Sequence, residues 1–209
     1  CRILKQMNPA DLAILFAEFP EDYLPVLFRI LPKELAAETF VCMDADLQEV
    51  LITTFSDREL REVLDEMYMD DTVDIIEEMP SNVVARILKN SNPEDRKTIN
   101  ELLKYPGDSA GSIMTTEYVY LKKDMSVRDA FSRIRKIGPD KETIYTCYVT
   151  DAGRKLVGVV TVKDLLLAEQ ESVINDIMAT NVIYVDTLED KETAARLFDK
   201  YDFLAVPVV

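Results

Sequence analysis

Leu156-Val157-Gly158-Val159-Val160-Thr161-Val162-Lys163-Asp164-Leu165 is the stretch on which the fold is decided. Its β-branched and small apolar residues predict a strand over Leu156–Val162, and a further helix starts over Asp164–Ala168. Working back, Asp151-Ala152-Gly153 is a turn and Thr143–Val149 is a second strand. Ser126-x-x-Asp129 opens a helix to about Ile137, and Tyr118–Leu121 is a short first strand. The unit is strand–helix–strand–strand–helix, and its beginning recurs. Ile113-Met114-Thr115-Thr116 returns 64 residues later as Ile177-Met178-Ala179-Thr180, and Tyr120 and Ala130 return as Tyr184 and Ala194. Phe203–Val209 is therefore expected to be the strand that matches Thr143–Val149. The second copy stops there, so it is expected to be incomplete and the chain to be a fragment.

The texture changes at Tyr105-Pro106-Gly107: all five glycines fall at or after Gly107. Before that point the patterning is helical. An acidic or polar residue followed by an aliphatic or aromatic one recurs at Asp11-Leu12, Asp22-Tyr23, Glu34-Leu35, Asp46-Leu47, Glu59-Leu60 and Asn82-Val83, spaced by 11 to 13 residues for the most part. Phe19-Pro20, Leu31-Pro32 and Met79-Pro80 close units, while Ser56-x-x-Glu59 and Ser91-x-x-Glu94 read as capping boxes. Helices of about ten residues do not persist alone, so neighbours must stack, as in an α-solenoid. The expected division is 1–107 helical, 108–175 first mixed copy and 176–209 second, truncated copy.

Composition removes whole classes of chemistry. The 209 residues include no histidine, which excludes a Ser-His-Asp triad, a Cys-His pair and His-ligated zinc. Cys1, Cys42 and Cys147 are odd in number and show no CxxC spacing, so neither a disulfide framework nor a cysteine zinc site is expected; Cys42 and Cys147 read as small buried apolar residues. The formal charge of −15 argues against nucleic acid as a partner and leaves cations as natural ones. No run approaches the 18 or so apolar residues of a membrane helix.

The motif around Gly158–Leu165, with the repeated Ile-Met start, resembles a tandem CBS-domain pair. An acidic helical repeat joined through Leu103-Lys104-Tyr105-Pro106 and Ser109-Ala110-Gly111-Ser112-Ile113-Met114-Thr115 to such a pair resembles the cytosolic part of an MgtE-type magnesium transporter. Tyr201-Asp202-Phe203-x-x-x-Pro207-Val208-Val209 adds to the likeness. The resemblance implies a regulatory chain that is not an enzyme. It implies a homodimer through the CBS domains, a membrane channel C-terminal to this segment, and a place on the cytoplasmic side of the cell membrane. The ligand it implies is Mg2+.

Ten acidic residues crowd positions 57–78, against Arg58 and Arg61. A solvated acidic helix face is the bland reading. Asp70 and Asp74, at i and i+4, repel by a few tenths of a kcal/mol, and a hard cation that takes oxygen ligands is a reason to tolerate that. The resemblance assigns metal roles to Glu38, Asp70 and Asp74. It assigns a second set to Asp190, Glu192 and Asp202 by side chain, and to Asp199 by its carbonyl. Thr187-x-x-Asp190 also reads as a capping box, whereas acids near a helix end, as at Asp199 and Asp202, oppose the dipole. CBS pairs often take adenine nucleotides, which makes ATP a candidate ligand at Thr161, Asp164 and Phe203; the bland reading is that Thr161 and Asp164 cap a helix. The rivals are a nucleotide-sensing module attached to an enzyme, as in IMP dehydrogenase, and a plain protein-binding scaffold.

Overall fold

The structure is a computed structural model that describes residues 3–209; Cys1 lies outside the described residues. The chain divides into two compact units, one ending at Leu103 and the other running from Lys104 to Val209.

The first unit is helical. It contains, among the described residues, α1 (Pro9–Ala17), α2 (Leu24–Phe28), α3 (Lys33–Val41), α4 (Ala45–Thr54), α5 (Asp57–Leu64), α6 (Met69–Glu78), α7 (Ser81–Asn90) and α8 (Pro93–Leu102), with a 3₁₀ turn at Glu21–Tyr23 leading into α2. Helical turns start at Pro9, Glu21, Lys33, Ala45, Asp57, Met69, Ser81 and Pro93, twelve residues apart every time. The residue before each start is extended, with ψ between 139° and 164°. Three of these residues are Pro20, Pro32 and Pro80, whose rings force the preceding residue out of the helical region. Asn8, Ser56 and Asn92 instead accept backbone N–H bonds from the first turn. Ser56 and Glu59 form the expected capping box. The one expected from Ser91 does not form. Asn92 caps α8 through the amides of Glu94 and Asp95, and buried Ser91 donates its hydroxyl to Ile87 O at 2.9 Å. Asn92 is one residue nearer to Pro93, the first helical residue, so its oxygen reaches both amides.

The same period sets the core. Leu12, Leu24, Ala36, Gln48, Leu60 and Thr72 stand four residues after successive caps and are buried, and Leu31, Met43, Phe55, Met67 and Met79 close the units from inside. Gln48 is satisfied by donating to Phe40 O at 2.9 Å. Phe28 is met edge-on by Phe16, Phe40 and Phe55, with ring centroids 5.8 to 6.3 Å apart. Each helix packs on the one two places ahead: α1 on α3, α2 on α4, α3 on α5, α5 on α7 and α6 on α8, which is solenoid stacking.

The second unit is mixed. β1 (Val119–Lys122), β2 (Thr146–Thr150) and β3 (Leu156–Thr161) form one sheet in that order, β1 parallel to β2 and β2 antiparallel to β3. α9 (Val127–Ile137) is the crossover between β1 and β2, and α10 (Val162–Leu167) follows β3. Cys147, Val149, Val160, Ala130 and Leu165 are in the core they share. The short α11 (Ile174–Ile177) leads to the second copy, whose helix is α12 (Lys191–Tyr201). The strand expected at Phe203–Val209 is reduced to a single parallel bridge between Val185 and Val208. Pro207 can accept from Val185 N but has no N–H to return, and Phe203 and Leu204 are exposed. Cys147 is buried as expected. Cys42 is exposed instead, because it falls at the C-terminal end of α3, one residue past its last turn.

Candidate functional site: acidic helix faces

The acidic run 57–78 separates into two kinds of carboxylate. Asp57, Glu59 and Glu62 on α5 are engaged by cations from other helices and from their own. Glu59 pairs with Arg29 at 2.6 Å, Asp57 with Lys89 at 3.0 Å and Arg86 at 3.6 Å, and Glu62 with Arg58 at 3.0 Å and Lys33 at 3.6 Å. These pairs stitch the helical unit together. The Arg29 bond and the Ser56 bonds of the capping box hold the Glu59 carboxyl at about 2, far below the usual carboxylate range. A depressed folded value means that this stabilisation is present above about pH 4.5 and is lost as pH falls through 2. Glu59→Gln is therefore expected to flatten the acid limb of the stability curve between those values while changing it little in shape above pH 5. Acid unfolding followed by circular dichroism measures this.

Glu38 is exposed on α3, while Asp70 is half-buried and Asp74 exposed on one face of α6. The electrostatics around Cys42 bring the two helices into one field. Loss of solvent pushes its thiol up, and the carboxylates of Asp71 and Glu38 push it further. Asp71 thus joins the group although the sequence reading passed over it; its adjacency to Asp70 was the only signal. Every donor here is an oxygen and the nearby thiol is held protonated, which suits a hard divalent cation and not a soft one. Among the described residues, no three of Cys, Asp and Glu side chains converge closely enough to hold an ion within the structure.

In the mixed unit the second set of acids proves to be two pairs. Asp190 is itself the N-cap of α12, accepting from Glu192 N at 2.7 Å, so the expected box from Thr187 is replaced by a shorter one. Asp202 ends the same helix in the left-handed conformation at φ 55°. Twelve residues of helix separate them by about 18 Å. Asp190 and Glu192 therefore form one end and Asp199 and Asp202 the other, and one ion cannot use both.

Thr161 and Asp164 form a reciprocal cap at the start of α10, with Thr161 Oγ1 donating to Asp164 Oδ2 at 2.6 Å and accepting from Asp164 N at 3.1 Å. Phe203 stacks on Tyr201 with centroids 5.2 Å apart. A cleft of about 980 Å³ opens elsewhere in this unit, lined by Tyr118, Tyr148, Arg154, Thr180, Tyr184 and Phe198, and none of Thr161, Asp164 and Phe203 lines it. Burial pushes the Tyr148 phenol up to about 12, so it faces the cleft as a neutral group. No helix among the described residues is long and apolar enough to cross a membrane.

Comparison with known proteins agrees over the whole chain. Residues 7–108 match the MgtE intracellular N domain family and residues 110–171 match the CBS domain family. The magnesium transporter MgtE of Bacillus subtilis is 31% identical over 99% of this chain and 46% of its own length. That of Thermus thermophilus is 34% identical over 99% of this chain and 47% of its own. This chain therefore spans about half the length of these curated relatives. A crystal structure of the cytosolic domain of the Mg2+ channel MgtE in complex with ATP superimposes with a TM-score of 0.93 at 34% identity, covering 100% of this chain and 85% of that one.

Proposed function

The chain belongs to the MgtE magnesium transporter family, and from that premise we propose that it is the magnesium-sensing regulatory region of such a transporter. On this reading it catalyses nothing and conducts nothing. It lies on the cytoplasmic side of the cell membrane, forms a homodimer through its CBS domains, and gates a membrane domain C-terminal to it. Residues 1–107 are the sensing helical domain, and 108–175 and 176–209 are the CBS copies. The mechanism is electrostatic. Residues 1–107 carry 22 acidic and 11 basic residues, and 108–209 carry 17 and 13, so the two parts, at −11 and −4, repel. Magnesium held by Glu38, Asp70 and Asp74, and by the acids of α12 (Asp190, Glu192, Asp199 and Asp202), offsets that repulsion and favours the closed arrangement. We assign ATP as a second ligand, at Thr161, Asp164 and Phe203.

The observation that carries this reading is the likeness over the full chain to a solved magnesium-channel cytosolic domain at 34% identity. A ligand that binds only the folded chain raises its melting temperature by mass action. Millimolar MgCl2 is expected to raise the melting temperature well beyond NaCl at matched ionic strength. Equal effects of the two salts would mean simple screening, and the magnesium role would fall.

A further inference from the structure

The segment that leads from the helical pattern into the first CBS copy is fastened to the second copy. Ala110 N donates to Glu189 O at 2.7 Å and Gly111 N to Thr187 O at 2.8 Å. In the other direction, Lys191 N donates to Asp108 O at 2.9 Å and the Lys191 ammonium donates to Gly107 O at 3.1 Å. Ser109, buried, pairs antiparallel with Asp190. The Ala110 side chain, 1% exposed, is a member of the second copy's own core, with Val185, Ala194 and Val206. Gly111 marks the tightest approach: a Cβ there would lie 2.6 Å from the Tyr105 ring and 2.8 Å from Thr187 O, so only glycine fits. The repeat counterpart of this segment crosses over in the same way. Ala179 and Val159 exchange both backbone bonds, which ties the entry of the second copy to β3 of the first.

We infer that residues 107–112 are a clasp, a coupling element that opens and closes as one unit with the start of α12. A bare tether would keep its amides in water and its side chains out of any core. Here the segment cannot let go without exposing Ala110 and orphaning two buried amides, which is costly. Release also takes away bonds made by residues 187–191, so the two segments share one opening event. The clasp grips at Asp190 and Lys191, beside Glu192. A cation held at that helix start therefore stabilises the segment through which the helical domain is attached. This regulatory use rests on the proposed function; the coupling itself does not.

Hydrogen exchange on the full chain in magnesium-free buffer tests the coupling. Gly111→Val is expected to speed exchange about tenfold or more at Ala110, and to the same degree at Lys191 and Thr193, while amides of β1, β2 and β3 keep their protection. Lys191→Met removes only the ammonium bond to Gly107 and leaves the aliphatic stem. It is expected to loosen 108–111 and 187–193 together, severalfold, without change in circular dichroism. If either variant loosens 107–112 while 187–193 keeps wild-type protection, the segment is a passive tether and the inference is wrong. Because magnesium is absent, failure of the magnesium reading would show only in the melting experiment and leave this result standing.

Discussion

Replacing Arg86 with alanine is expected to lower the stability of the helical unit by about 2–3 kcal/mol, the cost of hydrogen bonds to a charged donor. Arg86 stands on α7 with its side chain three-quarters buried, and its guanidinium closes the end of α4. Nη1 donates to Ile52 O at 2.6 Å and to Thr53 O at 2.8 Å, and Nη2 donates to Phe55 O. Carbonyls at a helix C-terminus have no partner within the helix and carry the negative end of its dipole, so a cation there answers both needs. Asp57, 3.6 Å away, steadies the same group. Lysine offers a point charge in place of a planar fork, so Arg86→Lys should recover less than half of the loss. Urea unfolding of the full chain, followed by helical circular dichroism, reads both variants. A loss below about 0.5 kcal/mol for alanine would show that water replaces the guanidinium without cost, as it does at ordinary surface positions.

Asp70→Asn with Asp74→Asn is expected to move the magnesium concentration needed for half the melting shift by about tenfold or more, or to abolish the shift. Removing one or two carboxylates from a site that needs only one or two leaves little to hold the ion. At an effective dielectric near 20, unit charges about 4 Å apart interact by roughly 4 kcal/mol, so two lost charges outweigh any small gain in helix propensity. The magnesium-free double variant should also melt higher than the wild type, because the i, i+4 repulsion on α6 is gone. Glu77→Gln with Glu78→Gln removes the same charge from the end of the same helix and should leave the midpoint within about twofold. Equal shifts in the two double variants would point to the net charge of α6, and the assignment of Glu38, Asp70 and Asp74 would fail.

The helical and mixed halves, the CBS pattern and the start of most helices were legible because each depends on local chemistry. Proline at 20, 32 and 80, amide or hydroxyl caps at 8, 56 and 92, and glycine from 107 onward act within a few residues of themselves. The strict period of twelve was blurred to 11–13 because the acidic marker drifts along the first turn while the extended cap does not. Ser91 and Asn92 compete for one cap, and only geometry awards it to Asn92. Phe203–Val209 has strand composition, but a ladder needs a neighbour that exchanges bonds, and Pro207 refuses one of them. Glu38 and Asp71 share a field around Cys42 through helix packing that no spacing encodes. The split of Asp190 and Glu192 from Asp199 and Asp202 follows from helix rise alone and was open to arithmetic. The crossing of 107–112 to residues 187–191 was not, since nothing near Ala110 announces a partner 75 to 80 residues on.

The central claim is that magnesium changes the shape of this chain by offsetting repulsion between its two acidic parts. Small-angle scattering across a magnesium titration, with sodium chloride at matched ionic strength as the reference, tests it most directly. The account predicts a radius of gyration that falls over the millimolar magnesium range, stays larger in the sodium reference, and loses most of its magnesium dependence in the Asp70→Asn, Asp74→Asn double variant. A radius unchanged by magnesium, or reduced equally by sodium, would contradict it.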